Sequence, residues 1–98
     1  MAQIISKRPG ESPKVIDVEL TIDNLAELVG GYIQTTSFDG AFMLYDEDGR
    51  MKQLPPNFVF AGREIVGPCV IVGTNRDGDD FGELNQRQQS FWMKQLSK

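Results

Sequence analysis

A chain of 98 residues and 11.0 kDa has room for one domain and one core. Its composition, 40% hydrophobic and 24% charged, excludes disordered, collagen-like and membrane-spanning classes. The complete lack of histidine removes Ser-His and Cys-His nucleophile pairs and imidazole metal sites, and a net charge of -4 disfavours nucleic acid and anionic membrane surfaces.

Met1 to Pro13 is rich in chain breakers, with Pro9, Gly10 and Pro13 following a short apolar pair, Ile4 and Ile5. It reads as a flexible leader over residues 1–13 with room for one edge strand, and residues 14–98 as a single domain. Lys7, Arg8 and Lys14 gather here, which reads as a solvated basic face. Lys14 to Leu20 alternates Val15, Asp17 and Glu19 against Ile16, Val18 and Leu20, the period of a half-buried strand. Thr21 and Asp23 are N-cap residues. Ile22, Leu25, Leu28 and Val29 then follow at helical spacing until Gly30 and Gly31 close the helix.

Tyr32 to Thr36 and Ala41 to Tyr45 are rich in β-formers and flank Ser37 to Gly40, which predicts a hairpin. Asp46 to Gly49 predicts a second turn into a short returning strand at Arg50, Met51 and Lys52. Leu54 to Asn57 stops that meander and leads into a crossing loop with Phe58, Val59 and Phe60. Ile65 to Val72, interrupted by Gly67 and Pro68, is the most apolar segment and predicts the central strand. Thr74 to Asp80 reads as an acidic loop. Phe81, Leu84, Phe91, Trp92 and Leu96 then fall near one face of a helix running from about Glu83, in which Gln88 and Gln95 interrupt the stripe. Local hairpins dominate this order. The expected fold is α+β: a small, mainly antiparallel sheet of four to five strands, a short helix after the first strand, and a C-terminal helix packed on the sheet.

The chemistry-bearing residue types give no enzyme. Acidic loops starting at Asp46 or Asn75 place Met51 and Asn57, or Asp80 and Gln86, where a calcium loop needs glycine and glutamate. Asp17, Glu19, Glu64 and Asp80 show no spacing that forces a carboxylate pair into one pocket. Cys69 lies in the apolar strand, where a thiol is a small inert hydrophobe. A single cysteine and no signal-peptide run point to a reducing, cytoplasmic setting. Arg50, Arg63 and Arg76, in or beside loops, carry the planar fork that holds phosphate or carboxylate.

Three strings taken together resemble a known family: Leu25, Leu28 and Val29 to Ile33; Asp46 to Lys52 with Leu54, Pro55 and Asn57; and Ile65 to Pro68 with Val70, Val72 and Gly73. They are similar to the domain-of-unknown-function 3846 family, short proteins of phages, plasmids and conjugative elements, over about Lys14 to Gln88. Gln34 departs from the family, which tends to carry glutamate there. The resemblance implies a mobile-element accessory protein without assigned chemistry.

In that setting the expectation is a non-enzymatic, homo-oligomeric binding protein without a cofactor or metal, acting on a host defence system by occupancy. One form captures a nucleotide-type signalling ligand, with Arg50 and Arg63 on phosphate, Tyr32 stacking on a base, Asn57 reading base edges, and Gly30 and Gly31 allowing close backbone approach. A second form occupies a host protein through Phe91 and Trp92. A third, direct nucleic-acid binding through the basic leader, ranks last.

Overall fold

A computed structural model of the chain describes residues 1–75 and 80–97. The strands are β1 (Ala2–Lys7), β2 (Lys14–Val18), β3 (Ile33–Phe38), β4 (Ala41–Asp46), β5 (Pro56–Phe60), β6 (Arg63–Val66), β7 (Cys69–Thr74) and β8 (Phe81–Gly82); the helices are α1 (Ile22–Val29) and α2 (Gln86–Leu96). One antiparallel sheet runs in the order β2-β1-β7-β4-β3, with β8 also paired to β7, and β5 and β6 form a separate hairpin.

The α+β, mainly antiparallel architecture expected from the sequence is therefore the one observed, with a C-terminal helix on the sheet. It is built in three layers. α1 covers one face through Leu25 and Val29, which pack with Ile4, Leu44, Val70 and Val72. The β5–β6 hairpin and α2 cover the other, where Ile65, Trp92 and Leu96 pack with Ile5, Met43, Cys69 and Ile71. β7 is buried on both faces, since successive side chains alternate between the two cores.

Local chemistry sets the boundaries. Thr21 Oγ1 accepts from the Asn24 N–H at 3.1 Å, and Gly30, at φ +87°, ends α1 with its N–H donating to the Ala26 carbonyl at 2.7 Å. Asp39 and Gly40, both at positive φ, make the two-residue turn between β3 and β4. Asn85 caps α2: its Oδ1 accepts from the Gln88 N–H at 2.8 Å while Gln88 Oε1 accepts from the Asn85 N–H at 3.0 Å. The glutamine that interrupts the apolar stripe is thus the return half of a capping box.

Several expectations need correction. The supposed leader contains β1, an interior strand hydrogen-bonded to β2 on one side and β7 on the other, with Ile4 and Ile5 fully buried. Burial of these two side chains on opposite faces is worth about 1.5–3 kcal/mol each, which outweighs the breakers that follow. Residues 50–52 form turns, not a returning strand, and the crossing loop is β5. The apolar run from Ile65 to Val72 is two strands, because Gly67, at φ +75°, turns the chain before Pro68 and sends β6 and β7 to different sheets. Gly67 also lets Leu54 approach, since an added Cβ would lie 2.6 Å from Leu54 Cδ1. Among the described residues the main sheet has six strands, and α2 begins at Gln86 with Leu84 buried ahead of it. Residues 76–79, which include Arg76 and most of the expected acidic loop, lie outside the described residues.

Candidate functional site: a cleft with two arginines

The turn after β4 and the β6 strand both line a cleft of about 240 Å³. Its floor is the outer part of the sheet, with Gln34 from β3 directly opposite Tyr45 of β4. One wall holds Asp46, Glu47, Arg50 and Met51, and the other Arg63, Glu64, Ile65 and Val66.

The turn wall is set by Asp46. Its side chain is 1% exposed, accepts the Asp48 N–H at 2.8 Å and accepts Lys52 Nζ at 2.8 Å. Burial alone would raise its carboxyl pKa. The Lys52 hydrogen bond, the Asp48 amide and the Lys52 charge together outweigh burial and hold it below the usual carboxylate value. Asp46 likewise holds the Lys52 ammonium above its ordinary value. With both groups in place the turn presents Arg50 to the cleft.

Each arginine is steadied by one weak neutral contact. Arg50 Nη2 donates to the Glu64 carbonyl at 3.2 Å, and Arg63 Nη1 donates to Thr36 Oγ1 at 3.4 Å. Thr36 Oγ1 is 2.9 Å from the Tyr45 hydroxyl, so Thr36 links Arg63 to Tyr45, both of which line the cleft. Among the described residues neither guanidinium has a carboxylate within salt-bridge distance, although Glu47 and Glu64 line the same cleft. A guanidinium has five N–H donors in a rigid fork, so most of the donor capacity of both remains for an oxyanion.

Arg50 and Arg63, paired in the sequence reading, are brought together. The other candidates are not. Tyr32 is 78% exposed and lies outside the cleft lining. Asn57 lies elsewhere and is committed internally: its Nδ2 donates to the Lys7 and Gly67 carbonyls, each at 2.8 Å, and its Oδ1 accepts from Lys7 Nζ at 2.9 Å. Both amide hydrogens are used, so no base-edge reading remains for them. Lys7, expected on a solvated face, is buried by this clamp. Gly30 closes a helix, and an added Cβ there would meet nothing within 4 Å. Gly31 does permit a close approach, but of the Asp46 carboxylate: a Cβ would lie 2.7 Å from its Oδ2. Trp92 is 2% exposed and is core, not a docking anchor, while Phe91 is 38% exposed at the edge of the same aromatic cluster.

Gln34 and Tyr45 were missed as site residues. The hairpin register could have found them, because a two-residue turn at Asp39 and Gly40 puts residues 34 and 45 directly opposite on one face. Burial pushes the Cys69 thiol far up, against a smaller opposing effect of the Lys7 charge, as expected for an inert core thiol. Among the described residues no group of three or more Cys, Asp or Glu is placed to hold a metal ion, and no helix is long and apolar enough to cross a membrane.

Fold and cleft together define a small three-layer α+β protein with paired arginines over an antiparallel sheet. The family model described as Domain of unknown function (DUF3846) matches residues 1–97, and the chain belongs to that family. No curated protein and no solved structure gave a match.

Proposed function

We propose that the protein is a non-enzymatic binding protein that captures a small anionic, nucleotide-type ligand in the cleft. Arg50 and Arg63 would grip a phosphate between them, and the Tyr45 hydroxyl would bond to it or to the adjoining sugar. The single observation that carries this reading is that two guanidinium groups share one cleft with no carboxylate partner among the described residues. Neutral Gln34 adds no negative charge on the floor. A setting in phages and other mobile elements, which the family resemblance implies, supports a role in which the ligand is a host defence signal and sequestration silences it.

Isothermal titration of the full chain with inorganic phosphate, AMP and a cyclic dinucleotide tests this. At least one nucleotide is expected to bind more tightly than phosphate. Arg50→Ala and Arg63→Ala should each weaken it about 10- to 100-fold, as charge-assisted hydrogen bonds of about 1.5–3 kcal/mol require. The ligand should be recovered intact after denaturation. No saturable binding by any of the three, or equal affinity in the double variant, would sink the reading.

A further inference from the structure

The large sheet ends on two unlike edges. β2 carries Lys14 and Asp17 and starts directly after Pro13, features that discourage strand addition. β3, on the other side, runs for six residues with no charge, no proline and no bulge in its pairing to β4. Such an edge is a template for another strand.

The hydrogen-bonding pattern of β3 is fixed. The Glu47 N–H donates to the Tyr32 carbonyl at 2.9 Å, and the two-residue turn closes on the pair Phe38 and Ala41. In an antiparallel ladder bonded and non-bonded pairs alternate, so residues 32, 34, 36 and 38 bond to β4. Ile33, Thr35 and Ser37 therefore turn their N–H and C=O groups to an edge that no described strand covers.

We propose that two copies of the chain pair antiparallel through β3, about a two-fold axis at Thr35, and join their sheets. This register uses all three outward-facing residues: Thr35 meets Thr35 of the second copy and Ile33 meets Ser37 of the second copy, giving about six new backbone hydrogen bonds. A shift of two residues in either direction loses one of the three. The same register sets Phe38, 42% exposed, opposite Tyr32 of the second copy, 78% exposed, and does so twice. These large exposed side chains flank the strand at its two ends, and cross-strand aromatic pairs are favourable. With no charge on β3, the repulsion between two acidic molecules acts only at longer range, where salt screens it.

Pairing also acts on the cleft. Gln34 on its floor comes opposite Thr36 of the second copy, the residue that steadies Arg63 there. Two clefts of about 240 Å³, each below the roughly 300 Å³ at which small-molecule pockets begin, then lie side by side across the axis. This last step rests on the capture reading; the dimer itself rests on the edge alone.

Native mass spectrometry and light scattering of the full chain at high micromolar concentration test the pairing, and a dimer is expected. Thr35 is exposed. Thr35→Lys sets two like charges against each other on the axis, and Thr35→Pro removes the outward N–H. Both should raise the dimer dissociation constant at least about tenfold, with unchanged circular dichroism of Thr35→Lys showing that the fold is kept. Thr35→Cys should cross-link two copies under mild oxidation, Cys69 being buried, whereas Ser37→Cys faces residue 33 of the second copy and should not. A monomeric wild type, or a dimer indifferent to Thr35→Lys, overturns the proposal; equal cross-linking of both cysteine variants overturns the register. A monomer that still binds nucleotide through Arg50 and Arg63 would remove the dimer and keep the capture reading, and a Thr35-dependent dimer without ligand would do the reverse.

Discussion

Asp46 is nearly sealed yet ionised, and the reason is local: a lysine and a backbone amide converge on one carboxylate that Gly31 leaves room for. Because its folded pKa lies below the unfolded value, its contribution to stability is full above the unfolded pKa. It is lost as the pH falls through the folded one. Asp46→Ala leaves the Asp48 amide without its acceptor and should cost about 1–3 kcal/mol at pH 7. In urea unfolding at falling pH, wild type and variant should begin to converge at the unfolded carboxyl pKa and go on converging down through the folded one; a gap constant from pH 7 to pH 3 would refute an ionised Asp46. Asn57 illustrates the opposite limit of sequence reading. As a residue type it suits a base edge, but its three internal bonds come from segments 50 and 10 residues away, and no local pattern reveals them.

Among the elements, α1 was legible because Thr21, an apolar stripe and Gly30 all agree. α2 was half legible. Its face was read from Trp92 and Leu96, but its start was placed too early because Leu84 fits the stripe while lying outside the helix, between β8 and α2. The true start is the Asn85 and Gln88 box. Asn85→Ala removes the side-chain acceptor and should lower stability by about 0.5–2 kcal/mol, measured as a fall in thermal midpoint. An unchanged midpoint would show that packing of Trp92, not the cap, holds the first turn. Strand existence was easier to read than strand partnership. Ile65 and Val66 read on into Cys69 to Val72 as one apolar run, and only the positive φ of Gly67 separates a hairpin over the core from the strand through it.

At the scale of the whole molecule, Trp92 links the layers. Its ring lies 5.0 Å from Phe60 on the hairpin and 6.0 Å from Phe38 at the end of β3, so the helix, the hairpin and the β3 strand share one aromatic cluster. Trp92→Ala should cost about 3–5 kcal/mol and release the hairpin and α2 together. Amide exchange that opens only α2 in this variant would show that the hairpin stands on its own. The sequence by itself determined the fold class, the hairpin between β3 and β4, the caps of α1 and the inert thiol, because periodicity, turn chemistry and side-chain chemistry act over a few residues. Tertiary structure decided that the first strand lies inside the sheet, that Lys7 and Asn57 are a buried clamp, and that Arg50 and Arg63 face one cleft. Those outcomes depend on which strands lie side by side, and strand order is set by burial of whole faces across long sequence separations.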